Sequence, residues 1–595
     1  MIKIEQQIKE AFINAFEKEF NHNLNDNELS LQQTRKEIAG DFTVNVFPFV
    51  RFAKRKPEDV AEILGQSITE SIEEVKSFNV IKGFLNLEID DSYWLDSSLQ
   101  VLEEPKYGFI TAAKDSAPIV IEYSSPNTNK PLHLGHIRNN LLGYSIAEIL
   151  KASGENVKKV NLVNDRGIHI CKSMLSWERH GNGETPESTG EKGDHLVGKY
   201  YVKFDQEYKA EIKKLVENGM DEKKASKEAP IIKEAQQMLR DWEAKEPKVF
   251  QLWKMMNDWV YAGFDITYKR LGVDFDKIYY ESDTYLLGKE IVMKGFEDGI
   301  LYQKEDGSIW ANLEDEGLDQ KLLLRADGTS VYMTQDIGTA KLRMEDYNPK
   351  ALLYVVGNEQ NYHFDVLKIV LKKLGFKWSD KIEHISYGMV ELPHGKMKSR
   401  EGTVVDADDL IDDIIRNAAD ITSESGKLEG LSDDEANNLF RQIGLGALKF
   451  FILKVDPKKK MLFNPAESID FNGNTGPFIQ YTHARIQSVI RKSEDFEFDK
   501  WDSSISVNEK ERSLLRNIYN YSSIIQNAAK NYSPAMIASY AYDLSKEYNQ
   551  FYHDNQILKE ENRALASFRL DLSRMVANVI RSSMGLLGIE VPNQM

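Results

Sequence analysis

At 595 residues, the chain is too long for one compact core, so its length predicts several domains. The formal net charge of −18 excludes a protein that coats nucleic acid through bulk attraction. Basic clusters at residues 51–56 and 454–460 leave a local nucleic-acid contact open, although solvated surface charge is the favoured interpretation of either cluster alone. A single cysteine, Cys171, excludes an internal disulfide and any site built from several thiolates, and we expect it to be a small buried residue.

Residues 1–20 alternate apolar and charged side chains at helical spacing and lack the uninterrupted apolar core of a signal peptide. No stretch of the sequence reaches the length of a membrane span. The sequence therefore predicts a soluble, cytoplasmic protein with no membrane partner.

Residues 1–110 continue from this amphipathic helix into short apolar runs, FTVNVFPFVRF and FNVIKGFLNLEID, which Gly and Pro interrupt. The pattern predicts a small N-terminal α+β module that ends near Glu104-Pro105.

A different pattern begins near Ala117. Residues 118–123 (PIVIEY) form the continuous apolar run expected of a buried parallel strand, and a helical pattern follows at about 135–152. The next predicted strand is residues 158–163 (KKVNLV). This strand–helix–strand order predicts an α/β fold with a Rossmann-like parallel sheet.

The parallel-sheet domain is predicted to span residues 111–430. Strand-like runs recur at 352–356 and 384–390, whereas residues 181–282 are charged and helix-rich and are predicted to be a helical insertion. From 431 to 595 the apolar residues recur at spacings of three and four, which predicts an all-α C-terminal domain.

The segment 124–136 (SSPNTNKPLHLGH) follows the first predicted parallel strand, where ligands bind in such sheets. The unpaired N–H groups of a helix N-terminus favour a phosphate, and imidazoles on the turn can donate hydrogen bonds to phosphoryl oxygens. A chain with 11 His and 36 Gly in 595 residues contains His-x-Gly-His by chance about 0.01 times. Surface histidines and a metal pair are the alternatives, but the turn itself supplies no further metal ligand.

Residues 396–402 (KMKSREG) follow the last strand-like run and are rich in cations. A basic loop there could close over a leaving pyrophosphate, although an exposed basic loop without function is the alternative. A His-x-Gly-His turn after the first strand together with a Lys-Met-Lys-Ser loop after the last is far more specific than either alone.

The two segments resemble the paired signatures of the class I aminoacyl-tRNA synthetase family, and the surrounding sequence resembles its arginyl members. The resemblance covers nearly the whole chain. It rests on IEYSSPNTNKPLHLGHIRNN, GDHLVGKYYVKF, DGTSVYMTQDIGTAK, YVVGNEQNYHF, NTGPFIQYTHARI and the C-terminal GLLGIEVPNQM.

The resemblance implies activation of L-arginine by ATP, with Mg²⁺, to arginyl-adenylate and pyrophosphate, followed by transfer to the terminal adenosine of tRNA-Arg. It also implies that the N-terminal module recognises the tRNA D-loop, that the helical domain binds the anticodon stem and loop, and that the protein is a monomer. The arginine carboxylate is itself the nucleophile, so positioning and charge neutralisation are the protein's tasks.

By match to the family's motifs, a planar carboxylate and neighbouring polar groups bind the substrate arginine. The side chain is assigned to Asp336 and Tyr332, with Gln360 and Glu122 nearby, and the backbone to Asn127, Ser125 and His133. Asp336 could instead be a helix N-cap and Gln360 a loop residue.

The family match assigns His133 and His136 to the ATP phosphates, Gly135 to the adenine, and Val390 to its neighbourhood. The loop departs from the family pattern, because its usual second lysine is Ser399 and Lys398 lies one place earlier. Lys396 and Lys398 are still assigned to pyrophosphate. Lys130, upstream of the turn, fits the compensating lysine known in this family.

For tRNA, Phe84 and Asn86 match the pair that reads a D-loop base, since an aromatic face can stack on the base while an amide reads its edge. A strand with Phe inward and Asn on the surface is the alternative. Tyr481, His483 and Arg485 are singled out by family match alone, with Tyr481 and Arg485 assigned to tRNA, and all three could be structural. No metal site is predicted from protein ligands.

Two other functions are open from the residues alone. A different His-x-Gly-His nucleotidyltransferase would need no anticodon module, so the long helical C-terminal region disfavours it. A tRNA-binding paralogue without catalysis is disfavoured by the presence of His133, Gly135, His136 and Asp336.

Overall fold

A computed structural model describes residues 4–25, 28–35, 37–391, 405–424 and 430–595. The contacts within it divide the chain into two compact units. The first unit comprises Met1–Tyr107, Ser488–Tyr521 and Lys546–Val579, and the second comprises Gly108–Gln487, Ser522–Ser545 and Ile580–Met595. The three-domain division predicted from the sequence stays a prediction.

The N-terminal region is an α+β module, as predicted. Its elements are α1 (Ile4–Phe20), β1 (Leu31–Gln33), β2 (Phe42–Asn45), α2 (Val50–Ala53), α3 (Pro57–Ser71), β3 (Val75–Ile81), β4 (Phe84–Ile89) and α4 (Asp91–Glu103). The strands form an antiparallel sheet in the order β1-β2-β4-β3. Helix α3 packs closely on it at Gly65, where a Cβ atom would lie 2.4 Å from the Phe78 ring.

The centre of the second unit is a parallel sheet in the order β12-β11-β5-β6-β7. Its strands are β5 (Ile119–Glu122), β6 (Val157–Val163), β7 (Lys277–Tyr280), β11 (Ala351–Gly357) and β12 (Ile382–Tyr387). Every residue of β5 is buried, as expected of a central strand covered on both faces. The strand order reverses between β5 and β11, so a crevice opens at the carboxyl ends of these two strands.

Helices cover both faces of the sheet and fill the long connection between β6 and β7. They are α5 (Leu134–Ala152), α6 (Ile168–His180), α7 (Pro186–Thr189), α8 (Gly193–Glu217), α9 (Glu222–Glu228), α10 (Pro230–Glu243), α11 (Pro247–Leu271), α12 (Glu281–Thr284), α13 (Leu287–Glu297), α14 (Tyr332–Tyr347) and α15 (Asn361–Lys373). Cys171 on α6 is buried, as predicted.

Three details differ from the sequence prediction. Strand β7 lies inside the stretch 181–282, for which the sequence predicts a helix-rich insertion and no strand. A small antiparallel sheet, β8 (Tyr302–Gln303), β9 (Ile309–Ala311) and β10 (Lys321–Leu324), was not predicted. The run predicted as one strand over 384–390 is two strands, because β12 ends at Tyr387 and β13 (Val390–Glu391) pairs instead with β14 (Met461–Leu462).

The C-terminal region is helical, as predicted. Its helices are α16 (Ala407–Glu424), α17 (Asp433–Leu453), α18 (Pro465–Ser468), α19 (Gly476–Lys492), α20 (Glu509–Lys530), α21 (Pro534–Asp554) and α22 (Arg563–Leu586). Ser432 starts α17 with a capping box, since it accepts a hydrogen bond from the Glu435 N–H and the Glu435 carboxylate accepts one from the Ser432 N–H.

In the part of the chain that the structure describes, every helix is too short or too polar to cross a lipid bilayer. The predicted fold class, a Rossmann-like parallel sheet with an N-terminal α+β module and a helical C-terminal region, is confirmed.

Candidate active site

The turn after β5 has a constrained backbone. Ser124 and Ser125 both have positive φ, 78° and 46°, a region that side chains other than Gly rarely occupy. Two buried amides hold the turn, because Asn139 accepts from the Ser124 N–H at 2.5 Å and Asn161 accepts from the Ser125 N–H at 3.0 Å. Asn139 also donates to the Val355 carbonyl of β11 at 2.7 Å, so it links the turn to the neighbouring strand at the crevice.

The His-x-Gly-His turn begins α5, as predicted, and its two imidazoles cap the helix. The Gly135 N–H donates to His133 Nδ1 at 3.1 Å, and the His133 N–H donates to His136 Nδ1 at 3.2 Å. A Cβ atom on residue 135 would lie 2.9 Å from the His133 ring, so Gly is needed at this position for the cap itself.

Both imidazoles are neutral near pH 7. Burial, together with the charge of Lys130, lowers the pKa of His133 to about 4. Burial and the neighbouring His133 also lower the pKa of His136 well below its usual value. Because each Nδ1 accepts a backbone hydrogen bond, each neutral ring carries its proton on Nε2. The pair therefore presents two N–H donors at the N-terminus of α5.

Lys130 lies beside this turn. With Pro131, Leu132 and His133 it lines a cavity of about 260 Å³, whose opposite wall is formed by α8 and Asp406. Helix α8 approaches the turn closely at Gly198, where a Cβ atom would lie 2.8 Å from the Pro131 ring.

Lys396 and Lys398, the two predicted loop lysines, lie outside the described residues. The chain is described again from Val405, and there it pairs with the His-x-Gly-His turn. The Leu134 N–H donates to the Val405 carbonyl at 3.1 Å, and the Ala407 N–H donates to the Leu132 carbonyl at 3.0 Å. Between these two bonds, Asp406 is the antiparallel bridge partner of His133. The segment that leads into α16 is therefore tied to the turn through its backbone.

The residues predicted to bind arginine fall into two groups. Glu122, at the carboxyl end of β5, is buried and forms an ion pair with the buried Arg343, and its Oε1 accepts from the Ser125 hydroxyl at 2.8 Å. Asn127 is exposed, and it is the bridge partner of Asn164.

The second group follows β10 and β11. Asp336 is half-buried on α14, and its Oδ2 lies 2.5 Å from His363 Nε2. Helix α14 begins at Tyr332, so Asp336 lies one turn inside it and the alternative interpretation as an N-cap is wrong. Tyr332 is 75% exposed, and Gln360 is also exposed immediately before α15. Val390, predicted beside the adenine, is buried in β13.

Sequence reasoning missed Arg343, which contacts Glu122, and His363, which contacts Asp336, although both partners were predicted site residues. It also missed both members of the pair His195 and Asp406. His195 lies in the run GDHLVGKYYVKF, which contributed to the family resemblance but received no role. Each of these residues lies on a different element from its partner, so the two are close only in the folded chain. The spacing of residues in the sequence therefore does not predict these contacts.

In the N-terminal module, Phe84 is 39% exposed and its ring lies edge-on to Phe47, with centroids 5.8 Å apart. Asn86 is fully buried, and its amide is engaged on both sides, accepting from Thr43 Oγ1 at 2.7 Å and donating to Asn79 Oδ1 at 3.0 Å. The alternative with Phe inward and Asn on the surface is wrong. The amide edge that was predicted to read a base is not at the surface of this structure.

Tyr481 and Arg485 lie one turn apart on α19, and the Arg485 guanidinium lies over the Tyr481 ring at 4.8 Å. Between them, the buried His483 donates from Nδ1 to the Pro592 carbonyl at 2.9 Å, and burial lowers the pKa of His483 to about 4. His483 is therefore a neutral structural residue that holds the C-terminal segment.

Three family models match the chain. The model for the class I (R) tRNA synthetase catalytic domain matches residues 99–464, the arginyl-tRNA synthetase N-terminal domain matches residues 3–89, and the DALR anticodon binding domain matches residues 479–595. The parallel sheet and its His-x-Gly-His turn are thus those of a class I aminoacyl-tRNA synthetase.

Similarity to curated relatives narrows the class. The chain is 56% identical over 597 residues to the arginine–tRNA ligase of Bacteroides thetaiotaomicron and 57% identical over 595 residues to that of Parabacteroides distasonis, and each match covers 100% of both chains. The chain belongs to the arginine–tRNA ligase family. The solved structure of Thermus thermophilus arginyl-tRNA synthetase has the same fold, with a TM-score of 0.79 at 23% identity and 100% of both chains covered.

Proposed function

We propose that, in the reaction of this family, His133 and His136 bind the ATP phosphates while the carboxylate of L-arginine attacks the α-phosphorus. The bond from that phosphorus to the bridging oxygen breaks, and pyrophosphate leaves with the electron pair. Arginyl-adenylate then gives its arginyl group to the terminal adenosine of tRNA-Arg, and AMP leaves. The observation that carries this proposal is the pair of neutral imidazoles, each with a proton on Nε2, at the start of α5.

Neutral donors suit this reaction. They donate hydrogen bonds to phosphoryl oxygens as negative charge builds up on those oxygens. The carboxylate nucleophile is already deprotonated, so the reaction needs no proton transfer from the imidazoles. Lys130 supplies the positive charge in our proposal, because its charge contributes to the lowered pKa of both imidazoles. Lys396 and Lys398 remain proposed ligands of pyrophosphate, and Gly135 and Val390 remain proposed neighbours of the adenine.

For the substrate arginine, we assign the guanidinium to Asp336. The 2.5 Å contact between Asp336 and His363 supports this role, since it fixes the carboxylate while leaving its other oxygen for a second partner. Tyr332, one turn before Asp336 on α14, and Gln360, just before the helix that carries His363, are both exposed and are assigned to the same side chain.

Glu122 is proposed to act on the arginine backbone through Ser125. Its carboxylate already faces Arg343 and the Ser125 hydroxyl, so it fixes Ser125 while Asn127 and His133 bind beside it. A second guanidinium on Glu122 would leave Arg343 buried without its partner, which is costly.

Mg²⁺ is proposed to enter with the ATP phosphates. In the described ranges, one trio of His and carboxylate side chains lies close enough together to hold an ion: His195, Asp406 and Asp408. It does not fit a dedicated cation site, because Lys192 Nζ lies 2.6 Å and Arg270 Nη1 lies 2.9 Å from oxygens of Asp408.

For tRNA, we propose that Phe84 stacks on a D-loop base beside Phe47, and that Asn86 supports the sheet beneath it. Tyr481 and Arg485 are proposed contacts of the anticodon arm. We further propose a cytoplasmic monomer with an N-terminal domain at 1–110, a catalytic domain at 111–430 with its insertion at about 181–282, and an anticodon-binding domain at 431–595.

Pyrophosphate exchange tests the proposal. Purified protein is incubated with ATP, labelled pyrophosphate and single amino acids, with and without tRNA-Arg. We expect exchange with arginine alone among the amino acids, and only when tRNA-Arg is present. Exchange with lysine or another amino acid would contradict the assignment of Asp336, whereas exchange without tRNA would contradict the tRNA requirement only.

A further inference from the structure

His195 lies in the first turn of α8 and faces the same cavity as Lys130 and His133. Its Nε2 atom lies 3.2 Å from Asp406 Oδ2. Neither residue has a role in the reaction as described above, yet Asp406 is the bridge partner of His133. The contact thus joins α8 to the backbone that pairs with the ATP-binding turn.

Asp406 uses both carboxylate oxygens. Oδ1 accepts from the Asp408 N–H at 2.8 Å and from the Asp409 N–H at 3.2 Å, so it caps the N-terminus of α16. Oδ2 faces His195. If Asp406 turned away, it would lose the helix cap and the alignment of its backbone with His133 together. A partner that fixes Oδ2 therefore fixes the turn as well.

The other charged groups around His195 already have partners. Asp408 lies 3.8 Å from His195 Nε2, but it is held by Lys192, by Arg270 and by the Thr267 hydroxyl at 3.0 Å. Asp194 is buried and is paired with Lys192 at 2.9 Å. Lys199, one turn along α8, is paired with Glu184 at 3.2 Å. Lys130 and His133 face His195 from the turn, and Asp409 in the first turn of α16 also interacts with its charge. Asp406 is thus the carboxylate that His195 holds in place.

We propose that His195 is a positioning residue of the adenylation step, which holds Asp406 so that the segment 405–407 stays paired with the His-x-Gly-His turn. It acts through Asp406 on the orientation of His133 and does not contact the substrates. This inference rests on the proposed roles of His133 and His136.

Protonation favours this contact. The close contact with the Asp406 carboxylate raises the pKa of His195, and the same contact lowers the pKa of Asp406 despite its burial. The charged pair is thus complete below the usual histidine pKa of 6.5 and weakens as the pH rises through the raised value. Above that pH only a contact between a neutral imidazole and the carboxylate remains.

Two variants and a matched control test the proposal. His195→Ala removes the contact, and His195→Gln keeps a neutral donor. The control is His180→Ala, since His180 also pairs with a carboxylate, Glu207, and its side chain is 38% exposed against 34% for His195. All are assayed by tRNA-dependent pyrophosphate exchange with arginine from pH 6 to pH 9.

We expect His195→Ala to lower kcat about 10-fold with little change in the KM for arginine, because positioning is lost and binding is kept. His195→Gln should approach the wild-type rate at high pH and fall below it at low pH. Two results would overturn the proposal. One is a ratio of the wild-type rate to the His195→Gln rate that does not change with pH. The other is a His180→Ala variant as impaired as His195→Ala.

A second measurement does not depend on activity. Hydrogen exchange at the amides of Leu134 and Ala407, which donate across the pairing, should be faster in His195→Ala than in wild type and unchanged in His180→Ala. Unchanged protection of both amides in His195→Ala would contradict the positioning role even if exchange activity fell. Absence of arginine-dependent exchange in the wild type would instead contradict the proposed function and leave the amide measurement decisive for His195.

Discussion

The two main sheets of the molecule present functional residues in different ways. The parallel sheet is covered on both faces, so its candidate residues lie at its carboxyl edge, on the turns after β5 and β11, and on the neighbouring helix α14. The N-terminal antiparallel sheet has helix α3 on one face, and its polar residues Thr43, Asn79 and Asn86 form a hydrogen-bonded row across strands. An edge supplies backbone groups and helix N-termini, which suits phosphates, whereas a sheet face supplies a flat surface, which suits a base.

Asp336→Ala should have the largest effect on the edge. Removing the charged partner of a guanidinium in a half-buried site should lower kcat/KM for arginine about 1000-fold, with ATP binding retained. Steady-state exchange with varied arginine measures this. His363→Gln, which keeps Asp336 but changes its partner, should cost much less. A small change in Asp336→Ala would place the guanidinium elsewhere.

His136→Ala comes next. Loss of one phosphate donor should lower kcat about 100-fold with little change in the KM for arginine. Because the pKa of His133 is lowered to about 4 and that of His136 is also lowered, neither imidazole should titrate between pH 6 and pH 9. The wild type could instead lose exchange activity on acidification to pH 6, with no such loss in His136→Ala. That result would show that the imidazoles titrate in the working pH range, and it would contradict the neutral pair.

Lys130→Ala should lower exchange about 10-fold if Lys130 is the main compensating cation at the phosphates. Lys398→Ala, assayed in parallel, is the natural comparison. An unaffected Lys130→Ala beside an inactive Lys398→Ala would reverse the assignment and give the loop lysine the larger role.

The smallest effects are expected on the sheet face, and there the two positions should differ in kind. Phe84→Ala should raise the KM for tRNA-Arg about 5-fold, the loss expected of one stacked base, with the melting temperature unchanged. Asn86→Ala should instead lower the free energy of unfolding by about 1–2 kcal/mol, because it leaves buried partners unsatisfied. Thermal unfolding and aminoacylation of both variants test this contrast, and a tRNA defect in Asn86→Ala without destabilisation would restore the base-reading role.

The sequence predicted the turn after β5 because the apolar run, the Gly and the paired histidines are all local signals. It did not predict why Gly135 is required, since the ring that needs the space is the His133 ring folded back over the helix start. Similarly, β7 was hidden within a helix-rich stretch, because a four-residue half-polar strand gives no periodicity of its own.

The partners of the site residues were beyond prediction for a different reason. His363 and Asp336 are 27 residues apart, and Arg343 on α14 reaches Glu122 at the end of β5. No spacing rule links such pairs. Burial was equally hidden for Asn86. Phe84 and Asn86 alternate correctly for one face of a strand, but the hydroxyl and the amide that engage Asn86 come from the neighbouring strands β2 and β3.

The two serines with positive φ after β5 have a consequence for how the enzyme could change its heat tolerance. Each left-handed residue other than Gly costs about 1–2 kcal/mol, so glycine at position 124 would relieve strain that the Asn139 contact now holds in place. The same change would remove the Ser124 hydroxyl from Tyr268 and loosen the strand end that leads into the His-x-Gly-His turn. A change in this turn that favours stability should therefore cost turnover. We expect relatives adapted to heat and relatives adapted to cold to differ in the residue at this position.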